Sequence, residues 1–298
     1  MEKINRREFL RKSVAGISAL SLAGIAHAET NLFSAETIID TVQLGNSGLT
    51  VPRLAMGTGT VGTNKSSNQT RLGMTKFVKL AHHAYEKGVR FYDMADQYGS
   101  HPFVGQALKS LPREKVILQT KMWTHPDSSN NLEPVSNILD RFRKEIGTDY
   151  IDIVLMHCIT DKNWTDNRKH FMEGLLKAKQ DGIVKAIGLS CHSWDAMETA
   201  IASPWADVML ARINPFQSIM DGKPDDVNEL LGKVKASGKG IIGMKIFGEG
   251  KNVTENERKK SLRFAIKEAN IHCMTIGMES EAQLDDAVEK IMKNVNGD

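Results

Sequence analysis

Cysteine is scarce: three occur in 298 residues, at Cys158, Cys191 and Cys273, and no two are closely spaced. An odd count cannot be fully paired, and without C-x-x-C spacing neither a disulfide framework nor a zinc ribbon is indicated. All three sit in or beside apolar runs, so they read as buried thiols rather than cross-links. Long apolar runs are missing too. The stretch from Val14 to Ile25 is twelve residues, short of the ~20 that a spanning helix needs, so no stable membrane anchor is expected. Charge of one sign is equally lacking. The net charge is +3, from 39 Lys and Arg against 36 Asp and Glu, too small for a nucleic-acid or polybasic membrane partner. No H-x-H or H-E-x-x-H occurs either, which weakens any metal-dependent hydrolase reading.

The first residues have the character of a leader. Met1 to Lys12 carries Lys3, Arg6, Arg7, Arg11 and Lys12, then comes the mild apolar stretch, then Ala26-His27-Ala28, a small-residue cleavage pattern. The run NRREFLRKS, with adjacent Arg6 and Arg7, looks like a twin-arginine signal. The expected organisation is a signal peptide over 1–28, a short segment over 29–41 and one domain over 42–298. The expected partner is the twin-arginine (Tat) export machinery, and the expected location is the periplasm.

What the mature chain does have is a repeat of architecture. Short β-rich runs recur near Leu54, Val89, Val116, Ile151, Ile187, Val208, Ile241 and Cys273. Helical patterns lie between them, at Lys76 to Lys87, Leu132 to Ile146, Phe171 to Asp181, Val227 to Ser237, Arg258 to Ala269 and Ala282 to Asn294. Gly88, Gly147, Gly182 and Gly238 stand just past several of these helices, where a left-handed cap is expected. Eight such units in ~250 residues predict an α/β fold of the closed (β/α)8 TIM-barrel type rather than an open sheet. TVQLGNSGLTV, turning at Asn46-Ser47-Gly48, predicts an N-terminal β-hairpin before it.

Three runs end in residues that carry chemistry. GVRFYD ends in Asp93, with Tyr98 five residues on; KVILQTK ends in Lys121; YIDIVLMH ends in His157. On a barrel, the C-terminal strand ends meet at one mouth. An acid, a phenol, an amine and an imidazole gathered there are the parts of a proton-transfer site. Each also has a plainer reading: a loop aromatic, a structural ion pair, a buried histidine satisfied by backbone. Asp96, between Asp93 and Tyr98, reads as a solvated loop acid.

FYDMADQYG, LQTK and DYIDIVLMH resemble the signature segments of the aldo-keto reductase family, and the resemblance runs from about Val42 to the C-terminus. It implies reduction of a small carbonyl substrate, an aldehyde, a ketone or a quinone, with NADPH as cofactor and NADH as the alternative. It implies that Asp93, Tyr98, Lys121 and His157 form the catalytic tetrad. Tyr98 would be the general acid. A free tyrosine, with a pKa near 10, is a weak proton donor at neutral pH. Lys121 would lower that value, Asp93 would keep Lys121 charged and aimed, and His157 would hydrogen-bond the substrate oxygen.

The resemblance also implies cofactor contacts. Gly57 and Thr58 fall at the first strand's end, and Ser190 near the nicotinamide carboxamide. Cys191 stands where the family commonly has Asn. Leu210 stands at a usual Gln, and Ile213 at an aromatic expected to stack on the nicotinamide. Lys245, with Lys251 as the other candidate, lies in the loop over the pyrophosphate. Gly277, Ser280, Gln283 and Asp286 would face the adenosine phosphate end, where Glu279 would repel a 2′-phosphate. Trp123 and Trp164 are candidates for the substrate pocket. Two rivals stay open: a nicotinamide-binding sensor or accessory subunit with little turnover, and a barrel hydrolase using His and Asp ligands. A metal set drawn from His157, Cys158, Cys191, His192, His272 and Cys273 is disfavoured, because strand neighbours point to opposite faces. Sequence alone sets no oligomeric state.

Overall fold

Residues 38–297 are described by the structure, a computed structural model. The expected signal peptide 1–28, and residues 29–37 after it, lie outside the described residues. Two short strands, β1 (Thr41–Gln43) and β2 (Thr50–Pro52), pair antiparallel across the Asn46-Ser47-Gly48 turn. Their apolar side chains explain why the hairpin stays. Leu44, Leu49 and Val51 join the cluster that fills the barrel interior with Ala55, Phe91, Ile153, Leu155 and Ile242. The turn is also tied to the strand loops, by the Asn46 N–H donating to Gly238 O at 2.7 Å.

Eight parallel strands close the barrel: β3 (Leu54–Gly57), β4 (Phe91–Asp93), β5 (Ile117–Trp123), β6 (Ile151–Ile159), β7 (Val184–Cys191), β8 (Val208–Arg212), β9 (Gly240–Met244) and β10 (Cys273–Gly277). They follow in sequence order, and β10 returns to pair with β3. Every one of the eight runs read from the sequence forms a strand. Their nearly continuous burial is what a sheet covered on both faces requires.

Around them pack α1 (Asn68–Arg71), α2 (Met74–Glu86), α3 (His101–Leu108), α4 (Val135–Ile146), α5 (Trp164–Asn167) and α6 (Lys169–Gln180). The later helices are α7 (Trp194–Ala202), α8 (Pro224–Ala236), α9 (Glu255–Lys267) and α10 (Glu281–Asn296). α2 shows why a helix forms there: Phe77, Leu80, Ala81 and Ala84 recur at i, i+3, i+4 and i+7 and all are buried. Burying Phe77 and Leu80 contributes about 1.5–3 kcal/mol each. The four glycines expected as caps all have positive φ, from 74° to 87°.

The helix read as Leu132 to Ile146 begins later, at Val135, because Ser129–Leu132 forms a separate 3-10 turn ahead of Pro134. α3 and α7, of eight and nine residues, are too short to show a helical period in sequence. All three cysteines are free, with Cys191 and Cys273 buried. No helix among the described residues is long and apolar enough to cross a membrane.

Candidate active site

Strand register sets the site. Gly277 pairs with Gly57, Gly57 with Asp93, and Asp93 with Gln119, so these residues share one level of the barrel. Lys121 lies two residues further along β5 than Gln119, and Trp123 pairs with His157 another step on. Lys121 is buried and its ammonium pairs with Asp93 Oδ1, while donating to Met94 O at 2.9 Å. Asp93 is held from two further sides: Gln119 Nε2 donates to Oδ1 at 2.7 Å and Thr275 Oγ1 donates to Oδ2 at 3.0 Å.

Tyr98 ends a 3-10 turn, Asp96–Tyr98, that closes on Gly99 in the left-handed region at φ 65°. A side chain at Gly99 would run into the Lys65 backbone, so glycine is required there. The Tyr98 ring lies against the backbone at Gly59 and Gly62, where any Cβ would overlap it. Lys121 Nζ sits 4.9 Å from the Tyr98 ring centroid. The His157 ring meets Tyr98 edge-on at 5.6 Å and Trp123 at 5.4 Å, with His192 at 6.5 Å. The four residues read as a tetrad are therefore brought together.

Their protonation departs from the expectation. Burial, reinforced by the charge of Asp93, raises the Tyr98 phenol above its usual range, rather than Lys121 lowering it. Lys121 stands over the ring, with Asp93 absorbing its charge. Burial lowers the Lys121 ammonium, and Asp93 opposes that shift. Burial and then Lys121 hold His157 well below the ordinary histidine value. It is a neutral imidazole at neutral pH, and its buried Nδ1 has no hydrogen-bond partner among the described residues.

Beside this cluster opens a cleft of about 620 Å³. Gly57, Asp93, Tyr98, Lys121, Lys245, Gly277, Gln283 and Asp286 line it, as do Glu279 and Leu210. Thr58, Ser190, Cys191 and Ser280 do not. Thr58 is buried and donates to Asp93 O at 2.8 Å. Ser190 Oγ accepts the Cys158 N–H at 3.0 Å, bracing the bulge after His157, where Cys158 has φ 59°. Cys191 packs in the apolar layer between barrel and helices. Ser280 caps α10, accepting from the Gln283 N–H at 3.3 Å.

Ile213 lies in the same apolar layer as Cys191, so the place expected for a stacking group is not in the cleft; Met244 lines the wall instead. Trp164 is fully buried, whereas Trp123 is at the mouth. Lys251 is exposed and outside the lining. The sequence reading also missed Thr275, Glu249 and Arg258 in the cleft wall. Lys245 pairs with Glu249 at 2.5 Å, and Arg258 with Asp286 at 3.0 Å.

The donor set fits a dinucleotide. Gly57, Gly59, Gly250 and Gly277 line the cleft with bare backbone, Lys245 and Arg258 stand in the wall, and the cleft ends at the N-terminal turn of α10.

Comparison with known proteins accords with this. The Aldo/keto reductase family matches residues 53–298, and the chain belongs to that family. A probable aldo-keto reductase 1 of Glycine max is 30% identical over 237 residues, covering 73% of this chain and 63% of that protein. The methylglyoxal reductase DkgB of Salmonella typhi is 35% identical over 126 residues, covering 42% of this chain and 46% of its own. The aligned part is thus under two thirds of either relative's length. Among solved structures, a putative aldo-keto reductase of Pseudomonas aeruginosa superposes with a TM-score of 0.71 at 18% identity, covering 88% of this chain and 98% of that one. The holo form of AKR11C1 from Bacillus halodurans gives 0.66 at 17% identity, covering 85% and 91%. Both show the same fold.

Proposed function

We propose that this chain is an NAD(P)H-dependent reductase that converts an aldehyde or ketone, or a quinone, to the alcohol, with Tyr98 as general acid. The observation that carries this is the convergence of Tyr98, Lys121 and His157 beside a glycine-lined cleft. The methylglyoxal reductase among the relatives supports a small carbonyl as substrate. A reduced nicotinamide bound in the cleft supplies the hydride, which no side chain can furnish.

The chain's own residues do the rest. The neutral His157 directs a hydrogen bond to the carbonyl oxygen as negative charge develops there. Tyr98, kept protonated by burial and by Asp93, transfers its hydroxyl proton to that oxygen, which is the stronger base once hydride has arrived. Lys121 packs over the Tyr98 ring, and Asp93, held by Gln119 and Thr275, fixes Lys121 there. Leu210, Met244 and Ile246 exclude water along one wall. Lys245 and Arg258 are the cleft-wall cations that would meet the phosphate charge of NADPH, the proposed nucleotide, or of NADH. The paired arginines at Arg6 and Arg7 support export of the folded protein by the Tat machinery to the periplasm.

Fluorescence titration with NADPH and NADH, then turnover of a panel of aldehydes, ketones and quinones, tests the reading. Tyr98→Phe is expected to lower kcat by about 10²–10⁴-fold with cofactor affinity unchanged. Full activity in that variant would rule out Tyr98 as the acid.

A further inference from the structure

Asp96 is not the solvated loop acid its sequence context suggests. It opens the turn that ends in Tyr98, and it is only 5% exposed. Arg141, on α4, grips it with two hydrogen bonds, Nη1 to Oδ1 at 2.8 Å and Nη2 to Oδ2 at 3.1 Å. Lys65 pairs with the same carboxylate, and the Lys65 N–H donates to Gln97 O at 2.9 Å. Burial would raise the Asp96 carboxyl, but the hydrogen bonds from Arg141 and Lys65 outweigh it and hold it below the usual range.

The contacts continue beyond Arg141. Its Nη1 donates to Glu145 Oε1 at 3.1 Å; Glu145 Oε2 lies 2.7 Å from His101 Nδ1; His101 Nε2 lies 2.7 Å from Thr120 Oγ1. Thr120 immediately precedes Lys121. One unbroken polar chain therefore links the turn bearing the phenol to the strand bearing the ammonium, through α4 and α3. Asp96, His101 and Glu145 bring ligand atoms within 4.8 Å of one another, as a divalent cation would need. The Arg141 guanidinium already bonds both Asp96 and Glu145, so the cluster's charge is met from within the chain.

What the chain acts on is a group with no polar tie of its own. The backbone of the turn is tied by Tyr98 N–H to Ala95 O at 3.0 Å and by Lys65 N–H to Gln97 O at 2.9 Å, and neither bond reaches the phenol oxygen. The Tyr98 hydroxyl makes no hydrogen bond among the described residues. Its ring is located by contact with Gly59 and Gly62 and by the turn itself, so a shift of the turn moves the phenol oxygen directly. Bidentate arginine–carboxylate pairing fixes orientation as well as distance, which a lone lysine would not.

We propose that Asp96 and Arg141 are positioning residues for Tyr98: their pairing anchors the turn to α4 and sets where the acid stands relative to Lys121 and His157. The proposal rests on Tyr98 being the acid. Asp96→Asn keeps the shape of the side chain and removes its charge. A misplacement of ~1 Å at a reacting group costs on the order of 10²-fold, so kcat is expected to fall about 10–100-fold. KM for the carbonyl and Kd for NADPH, read by fluorescence, are expected to stay within about twofold, because the transition state alone loses the contact.

Arg141→Gln is expected to behave alike, Arg141→Lys to recover part of the rate, and the Asp96→Asn/Arg141→Gln double variant to be no slower than either single one. An unchanged kcat in Asp96→Asn overturns the proposal. So does a fall in kcat accompanied by rises in KM and Kd that track a lower Tm, since that is a general structural role. Should Asp96→Asn fail to fold, Arg141→Lys decides: a smaller kcat loss at constant Kd supports the proposal, and wild-type kcat overturns it. Full activity in Tyr98→Phe overturns the reading of Tyr98 itself, and this proposal with it, whatever Asp96 does.

Discussion

Replacing Asp93 by Asn asks how far the buried Lys121 ammonium depends on its partner. Side-chain exposure is 1% for Lys121 and 6% for Asp93, so solvent cannot take over the pairing. Removing one member of a buried pair strands the other charge, at a cost of about 3–5 kcal/mol. At about 2–4 °C per kcal/mol for a domain approaching this size, Tm should fall by roughly 6–20 °C. The lysine has an escape, since it can release its proton and become a neutral amine. Burial already lowers its pKa, and Asp93 is what opposes that shift, so the variant's Lys121 should titrate lower still.

The sign follows. Between the depressed folded value and the unfolded value of about 10.4, the unfolded chain binds the extra proton, so stability rises with pH across that window. Thermal melts of wild type and Asp93→Asn at several pH values up to about pH 10 should therefore show the deficit narrowing as pH rises. The Asp93→Asn/Lys121→Met double variant should be less destabilised than the sum of its singles, because the second change removes the stranded charge. A deficit below about 1 kcal/mol, level across pH and additive in the double variant, would show that the pair is not the buried dependency the geometry describes.

Two further outcomes can be measured. His157→Gln should lower kcat/KM about 10²-fold, as loss of a hydrogen-bond donor to a developing oxyanion does. Because burial holds His157 well below the usual histidine value, its titration should put no limb near that value; the pH–rate curve there should keep its shape in the variant and only drop in height. A wild-type limb near pH 6.5 that vanishes in the variant would contradict this. Arg258→Ala should raise the NADPH Kd by about tenfold, or ~1.4 kcal/mol, and flatten the salt dependence of binding, by fluorescence titration across ionic strength. An unchanged Kd would remove Arg258 from the phosphate-binding wall.

The barrel was readable because its determinants are local. Runs such as IDIVLMH and GIIGMK are apolar enough to be strands buried on both faces, and the amphipathic period of α2 survives in any fold that packs it. α3 and α7 were not readable, since eight or nine residues hold barely two turns of pattern. The tetrad was readable for a different reason: each member lies within five residues of a strand's C-terminal end, and barrel topology alone carries those ends to one mouth.

What escaped is whatever depends on which side chain stands opposite. Asp96 sits in a polar loop sequence and looks solvated, yet the guanidinium that buries it arrives from Arg141, forty-five residues away on another helix. Gln119 and Thr275 hold the two oxygens of Asp93 from strands three places apart around the closed sheet, β5 and β10, a relation fixed by barrel closure between β10 and β3 and by no local pattern. The phenol acidity failed in the same way. Adjacency of Tyr98 and Lys121 suggested a lowered value, but the ammonium faces the ring at 4.9 Å while its charge is taken up by Asp93. Burial then dominates, and the site holds a proton ready to give rather than a phenolate already formed.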